Sequence, residues 1–236
     1  LWVDGSRIFD LPAETANWLD EALSQPQASN ELQSFLTEIE QSLGVAIGDR
    51  PAQAEQVRAI SLNVAQNCNL GCRYCYADEG KFGGDTQVMG ETVAFAAVDQ
   101  LIEQSPAGAD IIIGFMGGEP MLNRTLVRTV TEYAVAQATK RGVRAKFSIT
   151  TNGTLISEAD AQFFAKHAFQ VTVSLDGPRE VNDQLRPTAK GGSSYDTLVR
   201  GVKALRKYPP GHLSARITVT PQTPQLLPVL KHVVAM

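Results

Sequence analysis

All three cysteines of this 236-residue chain fall within eight positions, in the run Asn67-Cys68-Asn69-Leu70-Gly71-Cys72-Arg73-Tyr74-Cys75-Tyr76, a C-x3-C-x2-C spacing. Thiolates are soft ligands that select iron–sulfur clusters, zinc or Cu(I). Three of them fill three corners of a four-iron, four-sulfur cluster and leave one iron without a protein ligand. An open position is what a catalytic metal site keeps and a structural one closes. An odd number of cysteines in one loop cannot all pair as disulfides. A structural zinc would need a fourth ligand, and the three histidines, His167, His212 and His232, lie far along the chain with no mutual spacing that suggests a site. The pattern therefore points to an open iron–sulfur site with Cys68, Cys72 and Cys75 as the metal ligands.

The thiols must be positioned by a folded scaffold, and the composition allows one. With 43% hydrophobic and 19% charged residues the chain can bury a sizeable core. Its length suits one large domain or one and a half. A net charge of −4 argues against a nucleic-acid partner, and no run of about 18 apolar residues is present to span a membrane. Clustered thiols without a disulfide framework point to a reducing cytoplasm. Leu1 is not an initiator methionine, so the natural start is expected upstream.

Residues 1–55 hold none of the cysteine chemistry. Residues 1–9 read as two short strands around a turn at Asp4-Gly5. Amphipathic helices are predicted over 12–24 and 31–43, separated by a polar break at 25–29, and Gly48-Asp49-Arg50-Pro51 reads as a linker. This segment is either a cap on the main domain or a small module that grips a substrate's leader peptide. From 56 to 236 strands and helices alternate. Strands are predicted over 57–64, 110–116, 145–150, 170–175 and 214–220. Helices are predicted over 91–105, 123–141, 157–167 and 195–207, with another starting at 225. Gly142 is a natural C-terminal stop, and Ser157 with Asp160 resembles a capping box.

Such alternation predicts an α/β fold with a parallel sheet, either a barrel or an open sheet. The special segments favour the barrel. The cysteine loop follows strand one, Gly117-Gly118-Glu119-Pro120 follows strand two, Thr151-Asn152-Gly153 strand three and Asp176-Gly177-Pro178 strand four. Active sites of parallel α/β folds gather at these carboxyl ends. Arg124, Arg128, Lys140, Arg141 and Arg144 read as an exposed helix and its exit rather than a binding patch.

The cysteine loop, with Tyr74 just before its last cysteine, resembles the signature of the radical S-adenosylmethionine (SAM) enzymes. In that family the free iron chelates the methionine end of SAM, whose reductive cleavage gives a 5′-deoxyadenosyl radical. Gly117-Gly118-Glu119-Pro120 is similar to the family's second motif, which lines the methionine end of SAM. Its glycines admit close backbone approach, and Glu119 or a carbonyl can accept from an ammonium group. The resemblance implies that Tyr74 packs against adenine and that Ser174 bonds the ribose or carboxylate. It also implies that Arg186 pairs with the carboxylate, a match that suits a guanidinium. Thr150 and Asn152 face the same mouth, although Asn152-Gly153 is also a common turn pair.

A longer run narrows the likeness. Cys75-Tyr76-Ala77-Asp78-Glu79-Gly80, Phe147-Ser148-Ile149-Thr150-Thr151-Asn152-Gly153, Ser174-Leu175-Asp176-Gly177-Pro178 and Arg186-Pro187-Thr188 together resemble the SPASM-type peptide- and protein-modifying enzymes. They look closest to thioether-forming maturases, including that of quinohemoprotein amine dehydrogenase, and are more distantly similar to sulfatase-maturing enzymes. The likeness implies a [4Fe–4S] cluster, SAM, a peptide or small-protein substrate, and an electron donor such as flavodoxin or ferredoxin. It also implies a six-unit barrel of which five strands are read here, so that the barrel looks truncated after strand five. Auxiliary clusters would sit in a C-terminal extension, since no cysteine follows Cys75. The competing reading is a non-catalytic iron–sulfur or zinc module, against which the motifs after strands two and four argue.

Overall fold

Alternate residues of each strand are apolar, and that alternation builds one face of a sheet. In the computed structural model, which describes residues 12–25, 29–43, 57–221, 223 and 226–236, five strands pair in parallel in the order β1-β2-β3-β4-β5. They are β1 (Ala59–Ala65), β2 (Asp110–Gly117), β3 (Arg144–Thr151), β4 (Gln170–Ser174) and β5 (His212–Arg216). The registers run Ser61↔Gly114, Gly114↔Ser148, Ser148↔Gln170 and Gln170↔His212, so one row crosses the whole sheet. This is the parallel α/β sheet that the strand–helix alternation predicts, with β1 and β5 as its edges.

Each parallel step needs a crossover, and helices supply them. They are α3 (Glu91–Glu103), α4 (Arg124–Arg141), α5 (Glu158–Lys166), α6 (Arg179–Leu185) and α7 (Tyr195–Lys207), with α8 (Leu226–Ala235) after β5. The helices bury Val98, Val130, Phe164 and Leu205 in one core with Leu62, Ile113, Phe147 and Val171 of the strands. Phe169, just before β4, stacks on Phe147 at 5.3 Å between ring centroids and on Phe115 at 6.0 Å. Gly142 ends α4 in the left-handed conformation at φ 71°, which a Cβ would disfavour. Ser157 and Asp160 form the full capping box of α5.

Three expectations are corrected. Strand β5 was expected over 214–220 but spans His212–Arg216, because β4 offers only five residues to pair with and Leu175 N–H then bonds Arg216 O at 3.0 Å. Helix α6 was not anticipated; seven residues are too few to show a helical period. Arg124 and Arg128 are not simply solvated. Arg124 Nε lies 3.0 Å and Arg128 Nη2 2.9 Å from the buried carboxylate of Asp160, so both cations brace the α5 cap against α4. Arg144, by contrast, meets only the half-exposed Asp110.

The chain divides into two compact units, Leu1–Glu55 and Gln56–Met236. In the first, α1 (Ala13–Leu23) and α2 (Asn30–Leu43) are described, with Trp18 meeting Phe35 edge-on at 5.2 Å and Leu32 buried. The expected strands at 1–9 and linker at 48–51, and most of the break at 25–29, lie outside the described residues. Among the described residues no helix is long and apolar enough to cross a membrane.

Candidate functional site

The second face of the sheet is the one that the helices leave open. Where Leu62, Ile113, Phe147 and Val173 face the core, their neighbours Ser61, Gly114, Ser148 and Ser174 line a cavity of about 390 Å³ at the carboxyl ends of the strands. That volume is in the range of small-molecule and cofactor sites, about 300–1,000 Å³. Cys68, Cys72, Cys75, Tyr74, Gly117, Gly118, Thr150, Asn152, Ser174 and Arg186, all singled out by sequence, line this one cavity.

The cysteine loop leaves β1 and is strapped from the opposite side of the sheet. Gly71 N–H bonds Pro187 O and Arg73 N–H bonds Leu185 O, each at 2.9 Å, while Ala189 N–H bonds Asn69 O at 3.0 Å. Leu70 and Thr188 form an antiparallel bridge. The segment after α6 therefore grips the loop, and this brings Arg186 against Cys72. No local sequence signal marks that strap.

The two glycines do a job that differs from the expected one. Gly117 has φ 146°, and a Cβ on it would stand 2.4 Å from Ala65 O; a Cβ on Gly118 would stand 2.3 Å from Asn67 O. Both contacts are impossible, so glycine is required for the end of β2 to pass the start of the cysteine loop. Gly118 N–H and Glu119 N–H then bond Ala65 O and Asn67 O at 2.9 Å, fixing the residue just before Cys68.

Glu119 is not a lining residue. It is fully buried behind the cavity wall, where Oε1 accepts from Met121 N–H at 3.0 Å and Thr151 Oγ1 at 2.7 Å, and Oε2 from Asn152 N–H at 2.7 Å. The expectation that its carboxylate meets a ligand ammonium is thus corrected: those oxygens tie the end of β2 to the end of β3. Burial pushes its pKa up, against the three donors that favour the carboxylate. Asn152 extends the same brace. Its Nδ2 donates to Asn69 Oδ1 at 2.9 Å and reaches Cys68 Sγ at 3.8 Å, and its Oδ1 accepts from Thr154 N–H and Oγ1.

A second buried carboxylate stands at the end of β4, and the sequence reading gave it no role. Asp176 Oδ2 accepts the Tyr74 hydroxyl at 2.5 Å, Oδ1 accepts Thr218 N–H at 2.9 Å, and Arg186 Nη1 donates to the Tyr74 hydroxyl at 2.6 Å. Tyr74 is thereby fixed at its far end, with its ring on the cavity wall. Burial, then the Asp176 acceptor, push its pKa up to about 12 against the pull of Arg186, so the phenol stays protonated. Burial works to lower the Arg186 pKa, but Cys72, Tyr74 and Asp176 more than offset it and the guanidinium stays charged.

Burial also pushes the Cys68 thiol up to about 11, against the Leu70 N–H that bonds its sulfur at 3.4 Å, and raises Cys72 against the pull of Arg186. Metal binding reverses this, because a coordinating thiol is held as the thiolate. Among the described residues no group of three His, Cys, Asp or Glu side chains converges on a single metal ion. A four-iron cluster does not ask for that convergence, since each thiolate takes a separate iron. Three soft donors and no carboxylate on the wall of one cavity suit such a cluster. The remaining lining residues that sequence reasoning missed, among them Ser61, Ser148, Arg216 and Thr218, had a legible signal: small or polar residues at every second strand position.

Comparison with known proteins agrees with this geometry. The family described as the Radical SAM superfamily matches residues 62–230. A serine-type anaerobic sulfatase-maturating enzyme of Klebsiella aerogenes is 32% identical over 142 residues, covering 60% of this chain and 35% of that protein. The radical SAM cyclopropyl synthase TigE of Paramaledivibacter caminithermalis is 24% identical over 218 residues, covering 87% and 43%. A solved structure of native anSMEcpe with bound AdoMet and the Kp18Cys peptide superposes with a TM-score of 0.66 at 25% identity, covering 75% of this chain and 48% of that one. The chain spans half or less of the length of each of these relatives.

Proposed function

The chain belongs to the radical SAM superfamily, whose cofactors are a [4Fe–4S] cluster and SAM, and from that premise we propose that it is the core of an enzyme that modifies a residue of a peptide or protein substrate. The observation that carries the reading is the convergence of Cys68, Cys72, Cys75, Gly117, Gly118 and Arg186 on one cavity at the carboxyl ends of the strands. When bound, the cluster and SAM supply a 5′-deoxyadenosyl radical, which abstracts hydrogen from the substrate.

The protein's own residues hold and orient. Cys68, Cys72 and Cys75 hold the cluster, on a loop fixed by the 185–189 strap and by Glu119 through the end of β2. Gly117 and Gly118 give the methionine end of SAM a wall without side chains. Arg186 keeps its charge beside Cys72 and takes the SAM carboxylate. Tyr74, locked by Asp176, presents its ring to the adenine. Thr150 and Ser174 offer hydroxyls to the ribose. An enclosed cavity keeps water from a reactive radical.

Two products fit. The motif run favours an intrapeptide thioether crosslink. The relatives described as sulfatase-maturating enzymes favour oxidation of a serine or cysteine to formylglycine. Both supports agree on a peptide, as does the peptide held by the similar solved structure. Residues 1–55 serve as a cap or bind the substrate's leader, and a flavodoxin or ferredoxin supplies the electron. The test is made with the full-length protein, reconstituted with iron and sulfide without oxygen, reduced and mixed with SAM. The reading expects 5′-deoxyadenosine by chromatography. A complete cluster that never yields it contradicts the reading. Both products are two hydrogens lighter than the substrate peptide, so fragmentation by mass spectrometry separates them.

A further inference from the structure

Of the described residues that line the cavity, two carry a formal charge, and both are arginines: Arg186 and Arg216. They differ in what faces them. Arg186 is buried, donates to Tyr74 and lies in the field of Cys72 and Asp176. Arg216 is exposed to the cavity. Its backbone carbonyl accepts from Leu175 N–H, but among the described residues nothing bonds or pairs with its guanidinium. The other surface cations near strand ends behave differently: Arg144 and Lys146 share Asp110, and Arg179 pairs with Asp196. In a chain of net charge −4, a guanidinium in a concave site with no counter-charge is the exception.

Its place separates it from the cluster end. Arg216 closes β5, directly across the ladder from Ser174. Three strand steps separate β5 from β2, whose end carries Gly117, which amounts to about 14 Å along the sheet. The methionine end of SAM belongs with the cysteines, where Arg186 stands, so Arg216 is left over on the far wall. An uncompensated charge in a cleft concentrates anions, and the planar fork of a guanidinium matches a carboxylate through two hydrogen bonds.

We propose that Arg216 is the specificity determinant of the substrate site, binding a carboxylate of the peptide close to the residue that is modified. This rests on the peptide-modifying reading above. The carboxylate comes from an Asp or Glu side chain or from a free C-terminus. The site excludes a neutral amide at that position only by the lost ion pair, so the preference is graded rather than absolute.

The experiment uses the full-length protein with its cluster and SAM, and three labelled, N-acetylated nonapeptides followed by fluorescence anisotropy. One carries a single central Asp with an amidated end, one a central Asn with an amidated end, and one a central Asn with a free C-terminal carboxylate. The wild type is expected to bind one of the two charged peptides roughly tenfold more tightly than the neutral one, and which one names the source. Arg216→Ala is expected to abolish the preference, Arg216→Lys to retain part of it, and Arg216→Glu to transfer it to a peptide with central Lys. SAM affinity, read by equilibrium dialysis, is expected to stay within about twofold in all three variants. Equal binding of charged and neutral peptides by the wild type, absence of binding included, overturns the proposal. So does a loss of SAM affinity in Arg216→Ala, which would put the guanidinium on the cofactor. A wild type that shows the carboxylate preference but forms no 5′-deoxyadenosine would sink the enzymatic reading and leave the carboxylate site standing.

Discussion

The two faces of the sheet are made by the same strands and have opposite jobs. On one, Leu62, Ile113, Phe147, Val171 and Val173 interlock with helices that bury them almost completely. On the other, one residue away along each strand, Ser61, Gly114, Ser148, Thr150 and Ser174 leave room for a cavity. The apolar face contributes most of the stability, because buried area is what drives folding. The open face contributes chemistry through polar groups that gain nothing from facing each other. Between them, at the strand ends, the buried carboxylates Glu119 and Asp176 belong to neither set. Each joins the scaffold to a residue beside the cavity.

That division yields a graded set of expectations. Phe169→Ala removes the ring that stacks on Phe147 and Phe115, and should cost about 3–5 kcal/mol in chemical denaturation. A cost near zero would mean that the aromatic stack is not the keystone of the closed face. Glu119→Gln keeps shape but turns an amide donor toward Asn152 N–H or the Thr151 hydroxyl. A loss of about 1–3 kcal/mol is expected from the unsatisfied pair, together with less iron retained per chain after reconstitution. Unchanged iron content would detach Glu119 from the cysteine loop.

Smaller effects sharpen the boundary. The capping contacts of Ser157 and the cations Arg128 and Arg124 overcome the cost of burying Asp160 and hold its pKa below the ordinary value. A depressed carboxylate pKa stabilises above the ordinary Asp value of about 3.9, and that contribution fades as pH falls through the folded value. Asp160→Asn should therefore cost about 1 kcal/mol at neutral pH, and should flatten the fall of stability with acid. An unchanged acid limb would contradict this linkage. Smallest of all, Ser148→Ala on the open face should change stability by no more than about 0.5 kcal/mol. A large loss would show that the open face carries structural weight.

Much of this was legible in the sequence, because periodicity is local. The strands and helices from α3 to α7, the Gly142 stop and the Ser157–Asp160 box all announce themselves within a few residues. The motif positions at strand ends brought ten of eleven candidate residues to one cavity. What escaped was long-range. The Arg186–Tyr74 and Tyr74–Asp176 bonds join residues 112 and 102 apart in sequence, and the strap on the cysteine loop comes from residues 185–189. Glu119 carried the right motif but the wrong orientation, since only the folded chain shows Thr151 and Asn152 waiting behind it. The end of β5 was set by the short partner strand β4, which no pattern within β5 reveals.

The most direct test of the division compares two properties of one variant. Cys72→Ala alters the open face alone. In the full-length protein, reconstituted and reduced without oxygen, the account predicts no 5′-deoxyadenosine from SAM, with metal-free melting unchanged from the wild type. Product at the wild-type rate would contradict the assignment of the cavity, and a collapse of the metal-free fold would contradict the separation of the two faces.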